Sequence, residues 1–361
     1  MSRAAGTPVP AGGSPASPRS TASSGTPISP TTPTPAGAPT PGEAPTTAGA
    51  PTPGEAAATR RGTVYGFLAY LLWGAFPLYF VALKPAGALE ILAHRIIWSL
   101  VLCLLILAVT RRARWVIDMF RDGRQLGTLA LAGLLIAVNW TVYIVAVLNG
   151  RVTEAALGYF LNPLVTVALG VLILRERLRP AQWVAVSIGL AAAVYLTVDY
   201  GAPPWISLVL ACSFACYGLL KKRLGTSLSA LQSLTGETVV LTPFAIGLLV
   251  WLAAMGEQTF TGHGTGHTLL LVSAGVATTV PLLLFAAAAK RVPLVTIGLL
   301  QFLTPVLQLL AGVLVLGEVM PSSRWVGFGL VWVALVVLSV DSVVSSGRSR
   351  RLARAAEGAA V

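Results

Sequence analysis

Charged side chains stand inside apolar stretches of this sequence. The stretch "EILAHRIIWSLVLCLLILAVT" (residues 90–110) begins with Glu90, His94 and Arg95, and a second stretch (231–254) contains Glu237. A guanidinium group binds anions through its planar fork, and a carboxyl group in apolar surroundings takes up a proton near physiological pH. These residue types therefore indicate anion binding and proton exchange.

Uncharged polar and aromatic residues also lie midway along apolar stretches. Asn139 and Tyr143 are four residues apart and share one helix face, next to Trp140. They either hydrogen-bond a solute or join neighbouring helices. Trp73 either forms an aromatic wall for a flat solute or faces lipid.

Two further stretches carry polar residues beside a proline. Each proline removes one backbone hydrogen bond and frees a carbonyl group one turn earlier. We therefore expect a hinge or a cavity wall at both places. The residues are Tyr159, Asn162 and Pro163 in one stretch, and Gln301, Thr304 and Pro305 in the other.

The composition defines the environment in which these residues act. Of the 361 residues, 55% are hydrophobic and only 11% are charged, whereas soluble domains average about 25% charged residues. The chain is therefore predicted to be an all-α integral membrane protein in contact with the lipid bilayer. Residues 1–58 are rich in Pro, Ala and Thr and are predicted to form a disordered, inert tail.

Ten apolar stretches are long enough to be membrane helices, since a span needs about 20 residues. They are joined by short connections. They lie near residues 63–82, 90–110, 127–147, 153–174, 181–199, 204–220, 231–254, 267–289, 293–316 and 324–342.

Basic residues alternate between the connections. If the N-terminus is cytoplasmic, 21 of the 25 Lys and Arg residues lie on the cytoplasmic side, which predicts that both termini are cytoplasmic. The net charge of +12 is then a signal of membrane topology, and no nucleic-acid partner is expected.

The second half of the chain repeats the first at an offset of 142 residues. The segment "FLNPLVTVALGVLILRERLRPAQWV" (160–184) aligns with "FLTPVLQLLAGVLVLGEVMPSSRWV" (302–326), so that Glu176 matches Glu318. Because each repeat has five spans, an odd number, the two halves must have opposite orientations. Inverted repeats are typical of secondary transporters.

Several long motifs then resemble one family. "YLLWGAFPLYF", "EILAHRIIWS", "NWTVYIVAVLNGRVTEAALGYFLNPLV" and "TTVPLLLFAAAAKRVPLVTIGLLQFLTP" are similar to the RarD-type permeases of the EamA family, in the drug/metabolite transporter superfamily. The resemblance runs over roughly residues 62–342. It implies ten helices in two inverted EamA repeats, in the bacterial inner membrane, with transport of small solutes without ATP.

The predicted organisation is a first repeat (62–200), a second repeat (203–342) and a basic cytoplasmic tail (343–361). The predicted function is secondary transport of a small metabolite or drug-like solute by alternating access, with proton coupling. The alternative is a non-transporting scaffold or receptor. The fifth and tenth helices are expected to support the bundle or a homodimer contact.

The repeat aligns Arg95 with Glu237, one near each mouth of the predicted pore. Arg95 either snorkels to the outer face or lines an outer vestibule that attracts anionic solutes. The vestibule interpretation assumes that Glu90 and His94 bond each other. Glu237 is the candidate for proton coupling. Alternatively, it stays hydrated near the cytoplasmic face or pairs with a basic residue at 221–223.

The sequence offers little for enzymatic chemistry. The only histidine in a predicted span is His94, and paired aspartates and metal-ligand spacing are both lacking. The three cysteines fit packing positions, and no Walker motif is present. We therefore expect no enzyme activity, no metal and no cofactor.

Overall fold

A computed structural model describes residues 53–111, 114–174, 178–224 and 228–359. Within these ranges the chain is helical and contains no β-strand. Helices satisfy their backbone hydrogen bonds internally, which an apolar segment in lipid requires. Most of the predicted N-terminal tail and Glu176 lie outside the described residues.

Thirteen α-helices are present in the described ranges, and a π-helical segment at Ala311–Val315 follows the twelfth. The first begins at Pro53, a few residues before the predicted end of the tail. They are α1 (Pro53–Gly74), α2 (Phe76–Ala82), α3 (Ala88–Val109), α4 (Arg114–Met119), α5 (Gly123–Leu148), α6 (Val152–Leu174), α7 (Pro180–Tyr200), α8 (Trp205–Leu224), α9 (Ala230–Met255), α10 (Gly264–Ala289), α11 (Leu294–Leu300), α12 (Leu303–Leu310) and α13 (Ser322–Ala359).

Eight helical segments of the described chain are long and apolar enough to cross a membrane. The bent pair α1–α2, with 42° between its helices, makes a ninth if it is one span. The apolar part of α8, Trp205–Lys221, is shorter. The protein is therefore a multi-pass membrane protein, and each predicted stretch is helical over most of its length.

Glycines allow some of these helices to pack backbone against backbone. A Cβ atom on Gly275 of α10 would lie 2.4 Å from the carbonyl carbon and oxygen of Trp98 in α3. On Gly133 of α5, it would lie 3.3 Å from the carbonyl oxygen of Glu237 in α9. Small residues at helix interfaces are the usual basis of close packing in lipid.

The helices of the two halves pack on one another in a reciprocal pattern. Helix α1 packs on α10 and α12, and α8 packs on α5 and α6. Helix α3 packs on α9 and α10, and α9 also packs on α5. Helices α7 and α13 pack together.

One contact between the halves caps a helix. The Glu318 carboxylate accepts hydrogen bonds from the backbone N–H groups of Val152 (2.5 Å) and Thr153 (2.8 Å). These amides lie at the beginning of α6, where N–H groups have no intrahelical partner and an anion is favoured. Glu318 therefore ties the segment that precedes α13 to the N-terminus of α6.

Candidate functional site

Arg95 lies inside the helix bundle, with only 4% of its surface exposed. Its Nε donates a hydrogen bond to Thr278 Oγ1 (2.8 Å), and its Cζ lies 4.0 Å from the centroid of the Trp140 ring. Phe76 and Phe80 contribute ring centroids at 5.1 and 5.5 Å. These five residues are called the arginine site below. The snorkelling interpretation is wrong, because the charge is enclosed by aromatic side chains.

The bend between α1 and α2 helps to build the arginine site. A Cβ atom on Gly74 would lie 2.6 Å from Leu307 of α12, so glycine permits the close contact at which α1 ends. The chain then starts α2, where Phe76 and Phe80 are four residues apart and share one face. That face carries the two phenylalanine rings of the arginine site.

Asn139 joins three helices. Its Nδ2 donates to the Leu210 carbonyl and to Ser213 Oγ of α8, both at 3.0 Å. Its Oδ1 accepts a hydrogen bond of 3.1 Å from the Tyr159 hydroxyl of α6. The side chain is buried and these contacts hold α5, α6 and α8 together, as the interpretation of Asn139 as a helix-joining residue expects.

Ring contacts connect the arginine site to the second predicted charge. They run through Phe80, Tyr143, Tyr159, Phe214 and Tyr217, with successive centroids 5.6–6.3 Å apart. These five residues are called the aromatic series. Its first member contacts Arg95, and its last, through its hydroxyl, lies 3.2 Å from Glu237 Oε2.

Glu237 is buried and ion-paired. Lys221 Nζ lies 2.5 Å from Glu237 Oε1, and Ser233 Oγ donates to the same oxygen at 3.0 Å. Lys221 also contacts Ser233 and stands 5.1 Å from the Tyr217 ring centroid. The expectation of a carboxyl group without a basic partner is therefore wrong, and the alternative of pairing within 221–223 is the one observed.

Glu90 and His94 form the expected pair only at an ion-pair distance of 4.0 Å, without a hydrogen bond between them. Glu90 Oε1 accepts from the backbone N–H groups of Thr259 (2.7 Å) and Phe260 (3.0 Å), and lies 4.0 Å from His94 Nε2. The His94 ring stacks on Phe260, and its Nδ1 accepts from Trp98 Nε1 at 3.2 Å. Backbone N–H groups in the connection 256–263 therefore satisfy this carboxylate. That connection is distant from Glu90 in the sequence.

Trp73 and Thr304 belong to a second cluster. Trp73 contacts the rings of Tyr70 and Phe285, and its carbonyl accepts from Gln308 Nε2 at 3.3 Å. Thr304 Oγ1 donates to the Tyr70 carbonyl at 2.9 Å. These bonds attach α12 to α1.

Asn162 and Gln301 are the remaining polar candidates. Asn162 is half-buried in α6, and its Oδ1 has no hydrogen-bond partner among the described residues. Gln301 is exposed at the end of α11.

The two prolines occupy different structural settings. Pro163 lies inside the continuous helix α6. Helix α11 ends at Leu300, and α12 begins two residues before Pro305. The two halves therefore differ at the predicted kinks. The first half has a proline within a continuous helix, and the second half has a break between two helices just before the proline.

Some members of these clusters were not among the predicted site residues: Phe76, Phe80, Ser213, Lys221, Ser233 and Thr278. Helical spacing could have indicated two of them, Ser233 and Lys221. Ser233 precedes Glu237 by four residues, and Tyr217 precedes Lys221 by four, so each pair shares a helix face. Serine 213 is brought to Asn139 only by the packing of α8 on α5.

Apolar helices with buried charged and polar side chains define a multi-pass membrane protein with an elaborate polar interior. The sequence profile of the EamA-like transporter family matches the chain twice, at residues 60–198 and 204–340. Protein RarD of Streptomyces exfoliatus is 53% identical over 297 residues, which cover 82% of this chain and 94% of that protein. An "Uncharacterized transporter" of Vibrio cholerae is 39% identical, covering 81% and 96%.

A solved crystal structure is similar in fold, with a TM-score of 0.52 and 18% sequence identity. The similarity covers 76% of this chain and 96% of that one. The chain belongs to the EamA-like transporter family and is a RarD-type permease. It is a membrane transporter, and the predicted family resemblance is confirmed.

Proposed function

We propose that the protein is a secondary active transporter that moves a small metabolite or drug-like solute across the bacterial plasma membrane by alternating access. The observation that carries the proposal is the double match to a transporter family, one match in each half of the chain. Two similar halves provide two nearly equivalent packings that open to opposite sides.

The proposed architecture has ten spans in two inverted five-helix repeats, with both termini cytoplasmic. The reciprocal packing of α1 on α10 and α12, and of α8 on α5 and α6, supports it. The apolar part of α8 would be the tenth span, because a span needs about 17–25 residues. Gly133 and Gly275 are 142 residues apart, and both stand at close helix contacts.

The proposed solute path follows the arginine site and the aromatic series. Arg95, Trp140, Tyr143, Tyr159 and Asn139 are the predicted candidates that the helices bring together. Pro163 and the break before Pro305 are the proposed hinges. Glu237 is the proposed coupling residue, where a proton would compete with Lys221 for the carboxylate.

Flux in proteoliposomes tests this proposal. The full chain is reconstituted, and uptake of a panel of radiolabelled metabolites and drugs is measured with and without an imposed pH gradient. We expect protein-dependent flux of at least one solute, accelerated by the gradient. Glu237→Gln should abolish the acceleration, since an amide cannot exchange the proton.

Control variants separate coupling from stability. Glu318→Gln changes a half-buried carboxylate that caps α6, and it should keep the response to the gradient. If Glu237→Gln retains the full response, proton coupling at this residue is refuted. If no solute in a broad panel moves, the protein fits a scaffold or receptor instead of a transporter.

A further inference from the structure

The buried charges of the described chain differ in how they are compensated. The carboxylate of Glu154 pairs with Arg151 at 2.7 Å, Glu237 pairs with Lys221, and Glu90 accepts two backbone N–H bonds. Arg95 has no acidic oxygen within 4.0 Å among the described residues. A buried charge is costly unless it is paired and hydrogen-bonded. The ring contacts of Arg95 offset part of this cost, but they supply no counter-ion.

The hydrogen bonds of Arg95 are also incomplete. A guanidinium carries five N–H donors. Nε donates to Thr278 Oγ1, whose own hydrogen is directed to the Ala274 carbonyl at 2.8 Å. Nη1 is buried and has no partner among the described residues. The N–H groups on that nitrogen are available to an acceptor that the described chain does not supply.

The geometry restricts the shape of that acceptor. The N–H groups of a guanidinium lie in its plane, and the Trp140 ring lies over that group at 4.0 Å. A planar carboxylate binds such a fork edge-on through two parallel hydrogen bonds. A carboxylate lies in the plane of the fork, so both of its oxygens can face the guanidinium group without being directed at the Trp140 ring.

The neighbouring rings indicate what the anionic group is attached to. The Phe80 ring contacts both Arg95 and Tyr143, with centroid distances of 5.5 and 5.9 Å. The Tyr143 hydroxyl is buried without a hydrogen-bond partner among the described residues, and its ring contacts Tyr159. These rings meet edge to face and form an apolar wall. Such a wall favours a flat apolar body, and the hydroxyl offers one polar contact to it.

We propose that Arg95 binds the carboxylate of the transported solute, and that the solute is a flat organic carboxylate whose body lies against Trp140, Tyr143 and Tyr159. The inference rests on the proposed function and adds the chemical class of the substrate. Arg95 is enclosed in the described state, so the carboxylate reaches it when the bundle opens. In the sequence, Arg95 was expected to attract anions at an open outer vestibule, whereas the structure places it in an enclosed aromatic site.

Binding of matched carboxylate and amide probes tests the proposal. The full chain is purified into lipid nanodiscs and titrated calorimetrically with acetate, benzoate and 1-naphthoate, and with the neutral amide of each. We expect benzoate and 1-naphthoate to bind at least tenfold more tightly than their amides, and acetate to bind more weakly than either. If no acid of the three binds more tightly than its amide, the proposal is overturned.

Variants assign the preference to the arginine site. Arg95→Gln should remove the preference for the acid, and Arg95→Lys should weaken benzoate binding about 10- to 100-fold, because the planar fork is lost while the charge remains. Trp140→Leu should weaken 1-naphthoate binding more than acetate binding.

The control variant is Arg151→Gln. It changes another arginine that lies near a tryptophan ring but is paired with a carboxylate, and it should leave binding unchanged. Retention of the acid preference in Arg95→Gln would overturn the proposal.

A stability measurement separates a ligand-binding arginine from a structural one. Burying the Arg95 charge without a counter-ion costs free energy, and this cost opposes the stabilisation from its bond to Thr278 and from the rings. The unliganded Arg95→Gln protein should therefore unfold at about the same temperature as the parent. A clearly lower unfolding temperature would indicate a structural arginine and contradict the proposal. If Arg95→Gln does not fold, Arg95→Lys and Trp140→Leu give the same test.

The binding and flux experiments fail independently. Acid-selective binding without flux in proteoliposomes would refute transport and leave the carboxylate site in place. Flux of neutral and basic solutes, with no acid preference in binding, would leave the transporter in place and refute the carboxylate site.

Discussion

Replacing Gly275 by alanine should destabilise the protein through the contact between α3 and α10. The new Cβ atom would stand 2.4 Å from the Trp98 carbonyl carbon and oxygen, whereas carbon atoms pack at about 3.5–4.0 Å. The two backbones must therefore separate by roughly 1 Å. Overpacking of this kind costs about 1–3 kcal/mol.

The same displacement should affect Arg95. Thr278 lies one turn after Gly275, and its bond to Arg95 Nε would lengthen from 2.8 Å by roughly 1 Å, beyond hydrogen-bonding distance. A hydrogen bond to a charged group contributes about 1.5–3 kcal/mol, and alanine recovers about 1 kcal/mol of helix propensity. The expected net loss is about 1.5–5 kcal/mol of unfolding free energy.

Unfolding in mixed detergent micelles, followed by tryptophan fluorescence, measures this loss. The matched control is Gly247→Ala in α9, where a Cβ atom would meet nothing within 4 Å. That variant should be as stable as the parent, or slightly more stable. If Gly275→Ala and Gly247→Ala unfold at the same detergent concentration, the close contact and the reasoning from it are refuted.

Three further predictions concern contacts between distant parts of the chain. Glu318→Gln removes the charged acceptor at the beginning of α6, so unfolding free energy should fall by about 0.5–2 kcal/mol and the amides of Val152 and Thr153 should exchange with deuterium faster. Glu90→Gln should speed exchange at the amides of Thr259 and Phe260 in the same mass-spectrometric experiment, because the charged acceptor is lost. Asn139→Leu should lower the unfolding midpoint by separating α5 from α8, whereas equal midpoints would show that its hydrogen bonds contribute little.

Hydropathy predicted the helices well because lipid imposes one requirement on every span. Each backbone polar group must be satisfied within its own segment, so apolar length alone indicates a helix. A hinge was predicted at Pro305, close to the break between α11 and α12. The bend after Gly74 was not located, because it depends on contacts between α1 and α12. Such contacts join residues more than 200 positions apart.

The site was predicted in part for a similar reason. Arg95 and Asn139 were recognisable because polar groups in apolar stretches need partners. The identity of those partners depends on how each helix is rotated about its axis, which one sequence does not specify. Lys221 reaches Glu237 across two helices, and this pairing was predicted only as one of three basic alternatives.

Alternating access between the two halves is the central claim, and paired distance measurements test it most directly. After replacement of the three native cysteines, spin labels are placed at Asn149 and Ser322 in one protein, and at Pro180 and Arg291 in another. All four positions are exposed, and the 142-residue offset relates the two pairs. Pulsed electron paramagnetic resonance in nanodiscs should give two distances for each pair, with one pair lengthening as the other shortens when solute or pH changes. A single, unchanging distance for both pairs would contradict alternating access.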